Sequence, residues 1–131
     1  MSIVLFGACD RHNLGDLLLP HVAAALLAGP EPVFAGLASR DLRRYGGHAV
    51  RALAEVAAAP GAPAAALVHV GGEILTCSAW QAAVMLLPPA QVQPTVAYLE
   101  ARPQERADWV RRTLGTAALA PYAASRQRLP G

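Results

Sequence analysis

Ile3-Val4-Leu5-Phe6-Gly7 is a short, continuous apolar run that ends at a glycine. A run of this kind, rich in branched side chains, is typical of a strand buried on both faces of a parallel sheet. A polar stretch over 8–16 follows it, and an apolar segment over 17–27 comes next. We therefore predict a strand, a loop and a helix. Asp16 is the expected N-cap of that helix, because Pro20 is best tolerated in a first turn.

The alternation of strand and helix continues along the chain. Apolar runs and turn signals predict further strands over 32–37 and 66–70, and helices over 49–59, 79–87 (N-capped by Ser78), 91–102 and 103–114. This order predicts an α/β fold, a three-layer Rossmann-like domain with a short parallel sheet of about three strands.

A length of 131 residues is suited to a single domain. We predict one Rossmann-like domain over 1–131, with a core over 1–88, a helical extension over 89–115 and an irregular tail over 116–131. A sheet of about three strands leaves an exposed edge strand. We therefore expect a second chain, or a segment missing from a truncated protein, to cover that edge.

The composition excludes several classes of function. The 11 basic residues are all arginine, and the net charge of +2 is too small to predict binding to nucleic acid. The apolar fraction of 54% is inflated by alanine, and no apolar stretch approaches the roughly 18 residues of a membrane span. The first residues lack the basic region of a secretory signal. We expect a cytoplasmic protein with no membrane span and no cofactor.

Candidate site residues lie in the loops that follow the strands, because ligands of open α/β sheets bind outside the carboxyl ends of the strands. The first loop offers Asp10, Arg11, His12, Asn13 and Gly15, with Asp16 at the start of the helix. Free N–H groups at a helix N-terminus attract anions. A capped turn with no ligand explains this loop equally well.

The other two loops add a carboxylate and a basic group. Gly71-Gly72 allows close approach of the backbone to a ligand, and Glu73 would lie at the floor of a cleft, where it could act as an acid or a base. The alternative is a turn with a solvated glutamate. In the second loop Arg40, Arg43 and Arg44 could bind a phosphate or carboxylate, although a solvated basic surface is the favoured interpretation there.

A metal site is a weaker hypothesis. The residues of zinc-binding type near strand ends are Cys9, His12, His69 and Cys77. Their spacing contains no CxxC pair, so we predict no metal and two reduced thiols. We interpret His69 as a core histidine, and His21 and His48 as residues at helix starts.

Two elements together resemble a known family. Asn13-Leu14-Gly15-Asp16 follows a first strand and an Arg-His pair, and the third strand runs into Gly71-Gly72-Glu73-Ile74-Leu75. This combination resembles the N-terminal half of the polysaccharide pyruvyl transferase family, in which many members carry a third glycine where this chain has Glu73. The resemblance covers most of this chain and implies one half of a GT-B-type fold, a pair of Rossmann-like domains facing a cleft.

The resemblance also implies an activity. Members of the family transfer the pyruvyl group of phosphoenolpyruvate to a sugar hydroxyl, as a ketal, in polysaccharide biosynthesis. We assign Asp16 and Glu73 as catalytic candidates. The residues assigned to ligand binding are Arg11, His12, Asn13, Gly15, Arg40, Gly71 and Gly72. The implied ligands are phosphoenolpyruvate and a sugar or sugar-phosphate acceptor.

Two other functions remain open. The chain could be a non-catalytic Rossmann-like module that binds an anionic sugar or nucleotide, or that dimerises or pairs with a separate C-terminal chain through its sheet edge. It could also be a small nucleotide binder unrelated to the family. A phosphate held by the first loop would favour the nucleotide binder.

Overall fold

The computed structural model describes residues 2–61, 64–72, 74–115 and 120–123. These residues fall into two compact units. The first comprises the described residues up to Ile74 together with those from Tyr122 onward, and the second comprises those within Leu75–Pro121. The first unit holds the sheet and the second holds three helices.

The described part of the first unit contains a five-stranded sheet. Its strands are β1 (Ile3–Gly7), β2 (Val33–Gly36), β3 (Arg40–Asp41), β4 (Ala49–Ala52) and β5 (Ala66–Val70), in the order β3-β4-β2-β1-β5. All neighbouring pairs are parallel except β3 with β4. The predicted α/β class is confirmed. The prediction of a parallel sheet of about three strands is wrong, because the sheet is mixed and has two more strands.

The central strand β1 fixes the register of the sheet. Leu5 lies opposite Phe34 of β2 on one side and Val68 of β5 on the other. At the end of the strand, Gly7 lies opposite Val70, and a Cβ on Gly7 would be 1.8 Å from the Val70 carbonyl oxygen. The glycine that ends the first apolar run therefore allows β1 and β5 to stay paired up to their carboxyl ends.

Branched and aromatic side chains from four strands or their ends build the core on one face of the sheet. The buried members of this cluster are Leu5, Cys9, Phe34, Val50 and Val70. Ala23 and Ala24 of the first helix pack against them. This packing explains why the strands read as short apolar runs in the sequence.

The first helix, α1 (Leu14–Leu26), begins earlier than predicted. Its N-cap is Asn13, whose side-chain Oδ1 accepts hydrogen bonds from the backbone N–H groups of Gly15 and Asp16. The prediction of Asp16 as N-cap is therefore wrong, and Pro20 lies inside the helix, where it is buried. Capping by Asn13 therefore determines where the helix begins, although Pro20 removes one backbone N–H donor from the interior of the helix.

The predicted helix over 49–59 is wrong in its first third. Ala49–Ala52 forms β4, and only Leu53–Ala58 is helical, as α2. In β4, Arg51 lies opposite Ala35 and Ala52 opposite Gly36 of β2. The alanine-rich sequence favours a helix locally, but pairing with β2 and burial of Val50 override that preference.

The second unit contains α3 (Ala79–Met85), α4 (Pro89–Glu100) and α5 (Pro103–Leu114). Ser78 is the N-cap of α3, as predicted, and forms a reciprocal capping box with Gln81. Ala79, Ala83 and Val110 form the small core between α3 and α5. Among the described helices, none has both the length and the apolar character needed to cross a membrane.

Candidate functional site

The loops that follow β1, β2 and β5 meet at one edge of the first unit, because these strands are parallel neighbours in the sheet. The chain passes from β1 to β2 on one side, and later crosses to β5 on the other side of β1. The carboxyl ends of β1 and β5 therefore flank a topological switch point, the place where open α/β sheets bind ligands. We call the loop after β1 (residues 8–13) loop one, and the loop after β2 (residues 37–39) loop two.

A buried carboxylate ties loop one to loop two. One carboxylate oxygen of Asp10 accepts hydrogen bonds from the backbone N–H groups of Leu37 and Ala38, both at 2.8 Å. Its other oxygen, Oδ1, is buried and has no hydrogen-bond partner among the described residues. Burial raises the pKa of Asp10, and the two N–H donors oppose that rise. A Cβ on Gly36 would be 2.6 Å from the Asp10 carboxyl carbon, so this contact requires a glycine.

Arg11, a predicted ligand-binding residue, is held inside the first unit. Its side chain donates a hydrogen bond from Nη2 to the hydroxyl of Tyr122 at 3.0 Å, and only 8% of the residue is exposed. Tyr122 is itself fully buried, with its ring 5.6 Å from that of Phe6 on β1. The structure therefore places Arg11 in a buried contact, and its direct contact with a ligand remains a prediction.

The N-terminus of α1 is capped by Asn13, the last residue of loop one. Asn13 accepts from the N–H of Gly15 at 3.0 Å and of Asp16 at 3.4 Å, so two amides that an anion would use are already engaged. Asp16, a predicted catalytic residue, is half-buried, and this burial raises its pKa while the charge of Arg11 opposes the rise. A carboxyl group whose pKa is raised by burial is suited to carry a proton.

Exposed basic and aromatic groups line the outer side of loop one. The His12 ring lies edge-on to Tyr45, with 4.4 Å between the centroids, and the Arg44 guanidinium lies 5.0 Å from the centre of the same tyrosine. Arg40 donates from Nη1 to the Asp10 carbonyl oxygen at 3.3 Å. We call His12, Arg40, Arg44 and Tyr45 the basic rim. It includes a predicted site residue of loop one, His12, and one of β3, Arg40, which contacts the backbone of that loop.

The loop after β5 is only partly described. Gly71 packs closely on Ile74, since an added Cβ would be 3.1 Å from its side chain, whereas Gly72 has open space around it. This open space beside the switch point agrees with a position where a ligand can approach the backbone. Glu73, the second predicted catalytic residue, lies outside the described residues, and its role stays a prediction.

The residues considered for a metal site do not form one in the described part of the chain, where no group of three or more possible ligands is found. Cys9 is buried in the core, and burial raises the pKa of its thiol to about 12. His69 is exposed and lies edge-on to Phe6, so its interpretation as a core histidine is wrong.

The two remaining histidines lie together away from the helix starts. The His48 ring stacks on Phe34 with 3.6 Å between the centroids, and His21, inside α1, lies 5.5 Å from His48. The prediction that both begin helices is therefore wrong. His48 also lines a pocket of about 280 Å³ with Glu31, Arg43 and Arg51. Burial and the neighbouring His21 lower the pKa of His48.

Sequence reasoning placed Asp10 in the first loop without assigning it a role, and it missed Tyr122. Asp10 follows a buried strand directly and so carried a signal, but which amides it binds depends on the pairing of β1 with β2. Tyr122 carried no local signal, because its partner Arg11 is 111 positions away. Comparison with protein-family models, with curated proteins and with solved structures finds no significant match to this chain.

Proposed function

We propose that this chain is a polysaccharide pyruvyl transferase-like protein. In this proposal, phosphoenolpyruvate and a sugar or sugar-phosphate acceptor bind at the carboxyl ends of β1 and β5. One observation carries the proposal. The Asn13–Asp16 element lies at the start of α1, after the central strand β1, and the Gly71-Gly72 turn follows the neighbouring strand β5. The two elements that resemble the family therefore follow strands that flank the switch point, where a ligand of this fold would bind.

The basic rim supplies charge for the ligand. Phosphoenolpyruvate carries a carboxylate and a phosphate, and its binding requires cationic or N–H donors. Arg40 is exposed and donates to the backbone of loop one, and His12, an exposed residue of the same loop, offers a ring nitrogen. In the proposed complex these groups bind the anionic ends of phosphoenolpyruvate, while Gly72 allows close approach of the backbone. The buried Arg11 acts through its charge on Asp16.

The proposed chemistry is ketal formation. Protonation of the methylene carbon of phosphoenolpyruvate makes the adjacent carbon electrophilic, and one sugar hydroxyl adds to it. A second hydroxyl then displaces inorganic phosphate, which leaves both sugar oxygens bonded to the same carbon. The reaction needs an acid for the methylene group and a base for the hydroxyl protons. Asp16 and Glu73 are the proposed acid and base, and the raised pKa of Asp16 is suited to the acid.

The full activity requires more than one domain under this proposal. The family resemblance implies a GT-B-like arrangement, in which a second Rossmann-like domain closes the cleft and contributes further cations. That domain would come from another segment or a separate C-terminal chain, in a cytoplasmic complex. Alone, the chain is then expected to bind phosphoenolpyruvate weakly and not to turn it over.

The alternative is a non-catalytic module that binds an anionic sugar or nucleotide. One observation favours it: the basic rim offers cationic groups to an anionic ligand whether or not a catalytic acid and base lie beside them. The contacts of Arg11 with Tyr122 and of Asn13 with two amides leave fewer groups free for a ligand in either function. Binding of nucleotide sugars with no affinity for phosphoenolpyruvate would support the alternative over the transferase.

Calorimetric titration with phosphoenolpyruvate and with nucleotide sugars tests the proposal. Loss of a charge-assisted hydrogen bond costs about 1.5–3 kcal/mol, so Arg40→Gln is expected to weaken phosphoenolpyruvate binding by roughly 10-fold or more. Arg112→Gln is the matched control, because Arg112 is an exposed arginine on α5 in the second unit. Absence of heat with phosphoenolpyruvate, or equal weakening by both variants, contradicts the proposal.

A further inference from the structure

The outward face of α1 is apolar along its whole length. Four side chains at a spacing of four residues are exposed: Leu14 by 81%, Leu18 by 53%, Val22 by 45% and Leu26 by 78%. The flanking Leu19 and Leu27 are also exposed, by 41% and 37%. Between Leu17 and Ala28 the sequence has no Asp, Glu or Arg. We call these six exposed residues the α1 stripe.

The opposite side of the same helix packs against the sheet. Leu17 and Pro20 are buried, and Ala23 and Ala24 pack against the core of the sheet. A surface helix normally has one apolar side and one polar side, and a helix that is apolar all round is buried all round. The α1 stripe therefore has the composition of an interface, unlike the scattered apolar residues common on protein surfaces.

We infer that the α1 stripe is the interface of a homodimer, in which α1 packs antiparallel on α1 of a second copy about a two-fold axis midway between Leu18 and Val22. In that arrangement Leu14 faces Leu26 of the second copy and Leu18 faces its Val22, so the stripe is complementary to itself. Residues four apart form the ridge used in the commonest class of helix packing. The inference goes beyond ligand binding and does not depend on it.

Area and charge both favour a second copy as the occupant. The exposed parts of the six side chains amount to on the order of 500 Å² per copy, so two copies supply roughly the 1,000 Å² in total that a specific interface needs. The stripe carries no charge, so two copies meet without like-charge repulsion. A partner recognised by its charge would find no complement there.

The sheet edge, which the sequence suggests as a dimer interface, is a separate surface. Strand β5 pairs only with β1 among the described strands, whereas the α1 stripe lies on a helix and takes no part in strand pairing. The two interfaces therefore respond to different substitutions. The test must change α1 and leave β5 intact.

Light scattering during size exclusion tests the inference on the whole chain. The expected mass is twice the 13.6 kDa of one chain at about 100 µM. Leu18→Glu is expected to halve this mass, because it places two charges in an apolar interface. Met85→Glu is the matched control, since Met85 is similarly exposed, by 50%, on α3. Circular dichroism of both variants shows whether each is folded.

Cross-linking then tests the antiparallel register. In a Cys77→Ser background, Leu18→Cys and Val22→Cys chains are mixed and oxidised. The antiparallel dimer predicts that the mixed 18–22 disulfide dominates over either homodimer, whereas a parallel pair predicts the reverse. A monomeric wild-type chain, a dimer that survives Leu18→Glu, or dominant 18–18 disulfides would each overturn the inference.

Discussion

Arg11 and Tyr122 form a buried contact across 111 positions of the chain, with 3.0 Å between the guanidinium Nη2 and the phenol oxygen. The guanidinium carbon also lies 5.4 Å from the centre of the tyrosine ring. This contact fixes the residue after Asp10 in loop one and ties a distant part of the chain to the first unit. The position of loop one thus depends on a residue far outside the strand and helix that flank it.

Tyr122→Phe removes the hydroxyl and keeps the ring that packs on Phe6. A hydrogen bond to a buried charged group is worth roughly 1.5–3 kcal/mol, so we expect the free energy of unfolding to fall by about that amount in urea titration. Tyr98→Phe is the control, because the Tyr98 hydroxyl bonds Glu105 at an exposed site and its loss is expected to cost less than ~0.5 kcal/mol. Equal effects of both substitutions would contradict this account of Tyr122.

Gly36→Ala tests the contact between Asp10 and the start of loop two. The new Cβ would be 2.6 Å from the Asp10 carboxyl carbon, so the carboxylate must move and its bonds to Leu37 and Ala38 must weaken. We expect a loss of about 1–3 kcal/mol in the free energy of unfolding. Gly72→Ala, which meets no atom within 4 Å, should leave stability nearly unchanged. A stable Gly36→Ala variant would show that Asp10 is not confined there.

Cys9 links burial to alkaline stability. Burial raises the pKa of its thiol from 9.0 to about 12, so above pH 9 the unfolded chain loses this proton while the folded chain keeps it. The unfolded state is then favoured, and stability falls as the pH rises from about 9 towards 12. We expect Cys9→Ala to reduce this fall, as measured by urea titration at a series of pH values. An unchanged pH dependence would show that the thiol is not shielded in the native state.

The same burial predicts thiol selectivity. Cys77 is partly exposed and Cys9 is buried, so iodoacetamide should modify Cys77 in the native protein and Cys9 only after unfolding. Peptide mass mapping identifies the modified residue. Rapid native modification of Cys9 would contradict its placement in the core.

His48 gives the opposite dependence on pH. Its pKa is lowered by burial and by His21, so below its ordinary value of about 6.5 the unfolded chain takes up the proton first. Stability is unaffected by this group above that pH and falls as the pH drops below it. His48→Phe, which retains an aromatic ring to stack on Phe34, should lessen the fall between pH 6.5 and 5. A variant with the wild-type slope would exclude His48 as its source.

Local patterns predicted β1, β5 and α3 well. Continuous apolar runs in 3–6 and 66–70 and the Ser78 cap need no knowledge of distant residues. The sequence did not predict strand β4 (Ala49–Ala52), because this short alanine-containing segment is a strand only through its pairing with β2. Tertiary contacts override local preference most easily in such short segments.

The sequence predicted which loops lie side by side, but it did not predict the contacts within them. The fold confirms that loops one and two follow parallel neighbouring strands, as the rule for α/β sheets requires. The sequence could not indicate that Arg11 turns inward, because Tyr122 has no spacing relation to it. Nor could it decide between Asn13 and Asp16 as the cap, since both residue types are good N-caps.

Residue-resolved NMR titration with phosphoenolpyruvate tests the proposed binding at the carboxyl ends of β1 and β5. We expect saturable shifts of the backbone amide signals of His12, Asn13, Gly71 and Gly72, and no shifts for α5. Arg40→Gln should raise the ligand concentration needed for saturation by roughly 10-fold. Unshifted signals at these four residues, or shifts confined to the pocket beside His48, would contradict the claim.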